Sequence, residues 1–186
     1  MRIVGGVLGG RRIRAPRGST TRPTSDRVRE ALFNILGPAP DGARVLDLFA
    51  GTGGLGFEAL SRGAVAAVFV EQDAEAARCL TENAQALGLE ARVRVLREAV
   101  TAALPRLAAR GELFELIFAD PPYASDEASA TLDALGGTSA ALLADGALVA
   151  VEHGRRVPPA DRAGTLERVD RRRWGDTEVS FYRRAA

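Results

Sequence analysis

Residues 44–56, Arg-Val-Leu-Asp-Leu-Phe-Ala-Gly-Thr-Gly-Gly-Leu-Gly, constrain the fold more than any other part of this chain. Residues 44–49 form a short apolar-rich run of the kind that becomes a buried strand. The run enters a glycine-dense turn, and a helical pattern over 54–62 follows. Strand, glycine turn and helix together make the nucleotide site of an open α/β sheet, with the turn at the carboxyl end of the strand and the helix starting beneath the ligand. Gly51, Gly53 and Gly56 spell G-x-G-x-x-G, which on its own fits NAD or FAD. Asp47 argues otherwise. It lies four residues before Gly51, where its carboxylate approaches the same turn and would oppose a pyrophosphate. S-adenosylmethionine carries no phosphate but has an ammonium and a sulfonium, and a carboxylate suits both.

The chain of 186 residues fits one domain with room for a sizeable core and a small appendage. No apolar run approaches the ~18 residues of a membrane span, and no charged-then-apolar leader opens the sequence. Cys79 is the single cysteine, which rules out an internal disulfide. A cytoplasmic protein is the expectation. Net charge is only +1, but residues 1–40 carry eight arginines against Asp26 and Glu30. A basic arm of 1–40 on an acidic body of 41–186 suggests a polyanionic partner, with a solvated basic face as the alternative.

Along the arm, residues 3–8 and 11–14 read as two short strands meeting at Gly9 and Gly10, a hairpin signal. Residues 15–23 read as loop. A helix opens near Asp26, with Val28, Leu32, Ile35 and Leu36 on one stripe, and Gly37 and Pro38 stop it. Beyond the glycine turn, 65–71 is a buried-type strand. Asp73 caps a helix that Gly88 closes. A strand over 92–97 follows, then a helix over 101–110 with Pro105 in its first turn, and a strand over 113–119. A helix over 127–135 and a strand over 147–152 come next, and the tail adds strand-like runs at 165–171 and 178–183. Repeated strand–helix alternation predicts a Rossmann-like α/β fold, a mostly parallel sheet with helices on both faces. The last two strands have no helix between them and should be antiparallel.

Three strand ends carry the chemistry: Asp47 with its turn, Glu71 with Gln72, and Glu98 with Ala99. In such a sheet these ends line one crevice. Glu71 lies 20 residues after Gly51, the spacing at which an acid accepts both ribose hydroxyls. The next strand delivers Asp120-Pro121-Pro122-Tyr123. Two prolines directly after a buried strand cannot extend the ladder, so they fix a rigid turn. That turn offers a carboxylate, backbone carbonyls and an aromatic face, the set an exocyclic amine on a planar base needs. Hydrogen bonds to its two N–H groups localise a lone pair otherwise delocalised into the ring, and Tyr123 can stack the base for about 1–3 kcal/mol.

With these residues in place, Leu48-Phe49-Ala50-Gly51-Thr52-Gly53 followed by Asp120-Pro121-Pro122-Tyr123 resembles the amino-group methyltransferases of the class I fold. Residues 2–6, 10–13 and 22–34 narrow the likeness: the chain resembles the RsmD family of bacterial enzymes that methylate the exocyclic N2 of a guanine in 16S ribosomal RNA. The resemblance runs over essentially the whole chain. It implies a seven-stranded sheet with an antiparallel last strand, S-adenosylmethionine as donor, the small ribosomal subunit or its assembly intermediate as substrate, and a monomer without metal. Position by position, Asp47, Phe49, Gly51, Gly53, Gly56, Glu71, Gln72, Glu98 and Ala99 would hold the cofactor. Asp120, Pro121, Pro122 and Tyr123 would hold the guanine. Arg11, Arg12, Arg14, Arg22 and Arg27 would contact RNA phosphates. Such enzymes often carry Asp or Asn beside the alanine at the third strand end; Glu98 is one methylene longer.

Two alternatives stand beside this reading. One is an adenine-N6 or DNA amino-methyltransferase using the same turn. The other is a non-catalytic factor that binds the cofactor and RNA. His153, Cys79 and Trp174 read as structural: a histidine without a metal-spaced partner, a helix-packing thiol and a hairpin rim.

Overall fold

In the computed structural model, the described residues are 1–16, 26–122, 126–155 and 158–185. Among them five α-helices, α1 (Asp26–Leu36), α2 (Gly54–Ser61), α3 (Ala74–Leu87), α4 (Val100–Ala109) and α5 (Glu127–Gly136), surround one sheet. Its strands are β1 (Arg44–Leu48), β2 (Ala66–Val70), β3 (Val93–Leu96), β4 (Phe114–Ala119), β5 (Leu143–Gly154), β6 (Arg162–Ala163), β7 (Leu166–Trp174) and β8 (Thr177–Arg184). They lie in the order β3-β2-β1-β4-β5-β8-β7-β6. The first five are parallel, and β8, β7 and β6 complete the sheet in antiparallel pairs. The mixed α/β architecture is the expected one, with one strand beyond the seven. That strand, β6, is two residues long at the edge and too short to leave a pattern in the sequence. Strand order reverses between β1 and β4, so the crevice of the sheet opens at the carboxyl ends of those two strands.

Alternation along the strands divides the core. Val45, Phe69 and Phe118 pack against Phe33 of α1, Phe57 of α2 and Leu80 of α3. Leu46, Ile117 and Val149 pack on the other face against Leu104 of α4 and Leu132 of α5. The helix ends follow local chemistry: Asp73 accepts the Glu75 and Ala76 N–H groups, and Gly88 takes the left-handed conformation with φ 70°. Helix α4 begins earlier than expected, at Val100, so Pro105 falls in its second turn rather than its first.

The N-terminal arm differs most from expectation. Instead of two strands, a single bridge joins Arg2 and Arg12. The reason lies in α2. Glu58 is fully buried and accepts the Val4 and Gly5 N–H groups at 2.8 Å each. The Ser61 hydroxyl accepts the Leu8 N–H, and the Ser61 carbonyl the Val7 N–H. Donors that would have built a ladder are spent on the helix. Gly6 makes the approach possible, since a Cβ there would lie 2.0 Å from the Ser61 carbonyl oxygen. Ile3 and Ile13 then join the same core cluster as β1.

Glu58 also binds Arg62 at 2.8 Å and faces the fully buried Arg29 at 3.6 Å. Removing one partner of a buried ion pair leaves an uncompensated charge, which costs about 3–5 kcal/mol. Glu58→Ala is expected to lower the unfolding free energy in urea titration by that order, and Glu58→Gln by less; a loss below about 1 kcal/mol would contradict this role.

Candidate active site at the carboxyl edge of the sheet

A cavity of about 900 Å³ opens at the reversal of strand order. The glycine turn forms its floor. Phe49 has φ 58°, the one positive value among the described non-glycine residues. Such a conformation costs of order 1–3 kcal/mol and persists where surrounding bonds over-determine it. Here Ala50 donates to the Val70 carbonyl at 3.0 Å and Gly51 donates to Glu71 Oε2 at 2.8 Å. The strained backbone turns Phe49, Ala50, Gly51 and Thr52 into the cavity wall. A Cβ on Gly51 would meet no atom within 4 Å, so the space over it is open, although its φ of 54° still favours glycine.

Asp47 is buried beside that turn, and its Oδ2 accepts the Gly56 N–H at 2.8 Å. Burial pushes its carboxyl up to about 8; the Gly56 bond pulls it down, and the nearby Glu71 charge adds to the rise. Glu71 joins two backbone segments, since its Oε1 accepts the Asp73 N–H at 2.8 Å while Oε2 holds Gly51. Gln72 lines the cavity beside it. Across the reversal, the Asp120 N–H donates to the Leu48 carbonyl at 3.3 Å and ties the Asp-Pro-Pro turn to the end of β1. Asp120, Pro121 and Pro122 all line the cavity.

Most residues singled out in the sequence converge here, with three qualifications. Gly53 and Gly56 stay off the cavity lining. A Cβ on Gly53 would lie 2.5 Å from Phe57 and 2.6 Å from Leu80 of α3, and one on Gly56 2.3 Å from Phe69, so Gly53 makes room for those helix side chains and Gly56 lets α2 seat against β2. Glu98 and Ala99 reach the cavity, but the Glu98 carboxylate is held by Arg106. Tyr123 and Arg22 lie outside the described residues.

Sequence reasoning missed Glu152, which lies within β5, is buried and lines the cavity, and Glu127 and Arg29, which also line it. Glu152 carried the same signal as Asp47 and Asp120, a charged residue closing an apolar strand, but no motif surrounded it. Among the described lining residues are six carboxylates, Asp47, Glu71, Glu98, Asp120, Glu127 and Glu152, and one guanidinium, Arg29. Arg29 is itself committed to Asp26 at 2.8 Å and faces Glu58. The lining suits a cation or a donor-rich ligand and opposes a pyrophosphate.

A second groove of about 780 Å³ adjoins, sharing Met1 and lined by Arg2, Arg11, Arg12 and Arg14. Arg11 donates to the Ala86 carbonyl and Arg2 pairs with Asp26, which orders both side chains. Arg27 is exposed on α1 and does not line the groove. His153 is buried against the Ser180 hydroxyl at 2.8 Å, and burial pulls its pKa down. Cys79 is buried, and Trp174 packs partly against the core. The described residues contain no cluster able to hold a metal ion and no helix long and apolar enough to cross a membrane.

Comparison with known proteins adds to this geometry. The family described as "Conserved hypothetical protein 95" matches residues 1–183. YlbH of Bacillus subtilis is 38% identical over 184 residues, 99% of each chain. Ribosomal RNA small subunit methyltransferase D of Escherichia coli K12 is 36% identical over 190 residues, covering 100% of this chain and 91% of that protein. The solved structure of E. coli yhhF superposes with a TM-score of 0.82 at 33% identity, covering 100% and 98% of the two chains. An RNA methyltransferase from Salinibacter ruber in complex with S-adenosyl-L-homocysteine shares the fold, with a TM-score of 0.64 at 14% identity over 87% and 93%.

The raised Asp47 pKa has a stability consequence. Between its ordinary value of 3.8 and about 8, the folded state binds a proton that the unfolded state has released. This group's contribution is therefore full below about pH 4 and lost as pH rises to 8, by at most about 1.4 kcal/mol per pH unit. Asp47→Asn is expected to raise the urea midpoint at pH 8 and to flatten its fall between pH 5 and 8. An unchanged slope would mean the carboxyl is not destabilised by burial.

Proposed function

The chain belongs to the conserved hypothetical protein 95 family, the RsmD family, and from that premise we propose that it transfers a methyl group from S-adenosylmethionine to the exocyclic N2 amine of a guanine in 16S ribosomal RNA. One observation carries the reading. The Asp-Pro-Pro turn is hydrogen-bonded to the end of the strand that bears Asp47 and the glycine turn, so the residues proposed for the amine and for the cation line one acidic cavity.

The residues fit the cofactor. Asp47 is a buried carboxylate whose raised pKa marks a charge the protein itself undercompensates, which is what an ammonium or sulfonium relieves. Glu71 keeps lone pairs for ribose hydroxyls beyond its two backbone donors. Ala99, Val100 and Leu104 give an apolar wall beside Gln72 for a nucleobase. When bound, the cofactor supplies a methyl already activated on a sulfonium, so the protein's task is alignment rather than covalent catalysis.

Asp120 accepts an N–H of the target amine and directs the nitrogen lone pair toward the methyl. With the cofactor bound, the amine would give up one proton as it took the methyl, and Asp120 is the acceptor at hand for that proton. Pro121 and Pro122 hold that carboxylate on a turn that cannot relax into helix or strand. Tyr123 stacks the base. The guanine reaches the cavity by leaving its stack, at a cost of a few kcal/mol. Phosphate contacts from the arginine-lined groove, with Arg22 and Arg27, offset part of it. The groove and the cavity meet at Met1, so a strand lying along the arm would lead its base inward. The proposed setting is the cytoplasm, the proposed working form a monomer acting on the small subunit or its assembly intermediate, and the chemistry needs no metal.

Labelled S-adenosylmethionine offered with small subunits, bare 16S RNA and duplex DNA, followed by nucleoside analysis, tests this directly. The expected product is N2-methylguanosine in small-subunit RNA. Asp120→Ala is expected to abolish it while changing cofactor affinity less than about threefold. Label on adenine or on DNA alone would overturn the reading, and cofactor binding with no transfer to any substrate would make the chain a binding factor.

A further inference from the structure

Asn83 lies on α3, is 2% exposed and lines the basic groove. Every other buried residue of that helix is apolar, so an amide there is held only by the bonds it makes. Those bonds reach two segments distant from each other in sequence. Oδ1 accepts the Arg14 N–H at 2.9 Å and Nδ2 donates to the Arg14 carbonyl at 3.0 Å, so the side chain pairs with Arg14 as a neighbouring strand would. Nδ2 also donates to the Thr52 carbonyl of the glycine turn at 3.4 Å. Leu80, three residues earlier on the same helix face, packs beneath that turn, where a Cβ on Gly53 would lie 2.6 Å from it. Helix α3 therefore backs the glycine turn and carries the bonds that hold the arm against it.

The two limbs of the arm are held differently. Glu58 and Ser61 of α2 take the N–H groups of the first limb, whereas the return limb is fixed at Arg14 through Asn83. That clamp sits at the junction of the two spaces. Arg14 lines the groove, while Ala15, Pro16 and Thr52 line the cavity. A ligand filling the cavity meets Ala15 and Pro16 only while Arg14 is docked, and a phosphate in the groove meets the Arg14 guanidinium there only in the same state. Resting on the reading of the cavity as the cofactor site and the groove as an RNA site, we propose that Asn83 is a positioning residue that couples the two: it docks the return limb of the arm on the glycine turn, so that cofactor and RNA each tighten the binding of the other. Both ligands favour the docked arm, and linkage makes the factor the same in either direction.

Binding without turnover tests this, with S-adenosylhomocysteine and bare 16S RNA as the probes. Saturating S-adenosylhomocysteine is expected to tighten RNA binding by the wild type at least about fivefold, and saturating RNA to tighten S-adenosylhomocysteine binding by the same factor. Asn83→Ala, measured well below its Tm, is expected to bring that factor under about twofold while changing S-adenosylhomocysteine affinity without RNA by less than about threefold. A purely structural Asn83 would lower Tm and leave the factor at its wild-type value, which overturns the proposal, as does a wild-type factor of one. Amide exchange needs no variant: S-adenosylhomocysteine alone is expected to slow exchange of the Arg14 N–H in the wild type at least about threefold, and no slowing overturns the proposal. The coupling factor does not depend on which base accepts a methyl, so label on adenine would remove the guanine-N2 reading and leave the coupling standing. RNA binding without coupling removes only the coupling, and a wild type that binds no RNA overturns both.

Discussion

Asp47 Oδ2 accepts the Gly56 N–H at 2.8 Å inside the glycine turn, and the geometry of the molecule follows from keeping that carboxylate buried there. The bond pins the first turn of α2 to the end of β1. It requires glycine at 56, because a Cβ would run into Phe69 and crowd the carboxylate itself at 3.0 Å. The turn above it takes a strained aromatic, Phe49, and pins its backbone to β2 and Glu71. One backbone donor does not match the cost of desolvating a carboxylate, which is why its pKa rises to about 8. A protein optimised for stability alone would have an apolar residue in that place. The acid is retained where a cationic ligand would meet it.

The same logic repeats along the sheet edge. Asp47 lies on β1, Glu152 on β5, and Asp120 directly after β4 between them, and all three line the cavity. On the face that Val45 and Phe118 present, the sheet is covered by α1, α2, α3 and the arm. Glu58 and Arg29, both fully buried, hold the cover in place. Arg29 binds the Arg2 carbonyl, Met1 and Asp26 while lining the cavity, so the folding of the arm and the shape of the site are one problem. The basic groove lies beyond Met1. An acidic cavity beside a basic groove separates the two charges the reaction needs to handle, cofactor and amine within, phosphates without.

Much of this was legible in residue order because its causes are local. The glycine turn, the Asp73 cap, the Gly88 stop and the double proline after β4 are decided by a few consecutive residues, and each occurs where the pattern places it. What the sequence concealed depends on partners far along the chain. The expected arm hairpin is reduced to one bridge because Glu58 and Ser61, more than fifty residues away, take its N–H groups. Gly53 and Gly56 looked like ligand contacts, and only the neighbouring Phe57 and Phe69 rings reveal them as packing glycines. Glu98 acquired Arg106, eight residues on, as its partner. Glu152 was invisible for a different reason: without the order that sets β5 next to β4, nothing placed it at the cavity.

Burial pushes the Asp47 carboxyl up to about 8, and a cationic methyl donor bound beside it would favour its charged form and displace a proton. Titration calorimetry of S-adenosylmethionine at pH 7, repeated in buffers of different ionisation enthalpy, counts that proton. With the free carboxyl raised to about 8, net proton release on binding is expected from the native protein, and clearly less from Asp47→Asn. Binding with no proton released by the native protein would contradict it.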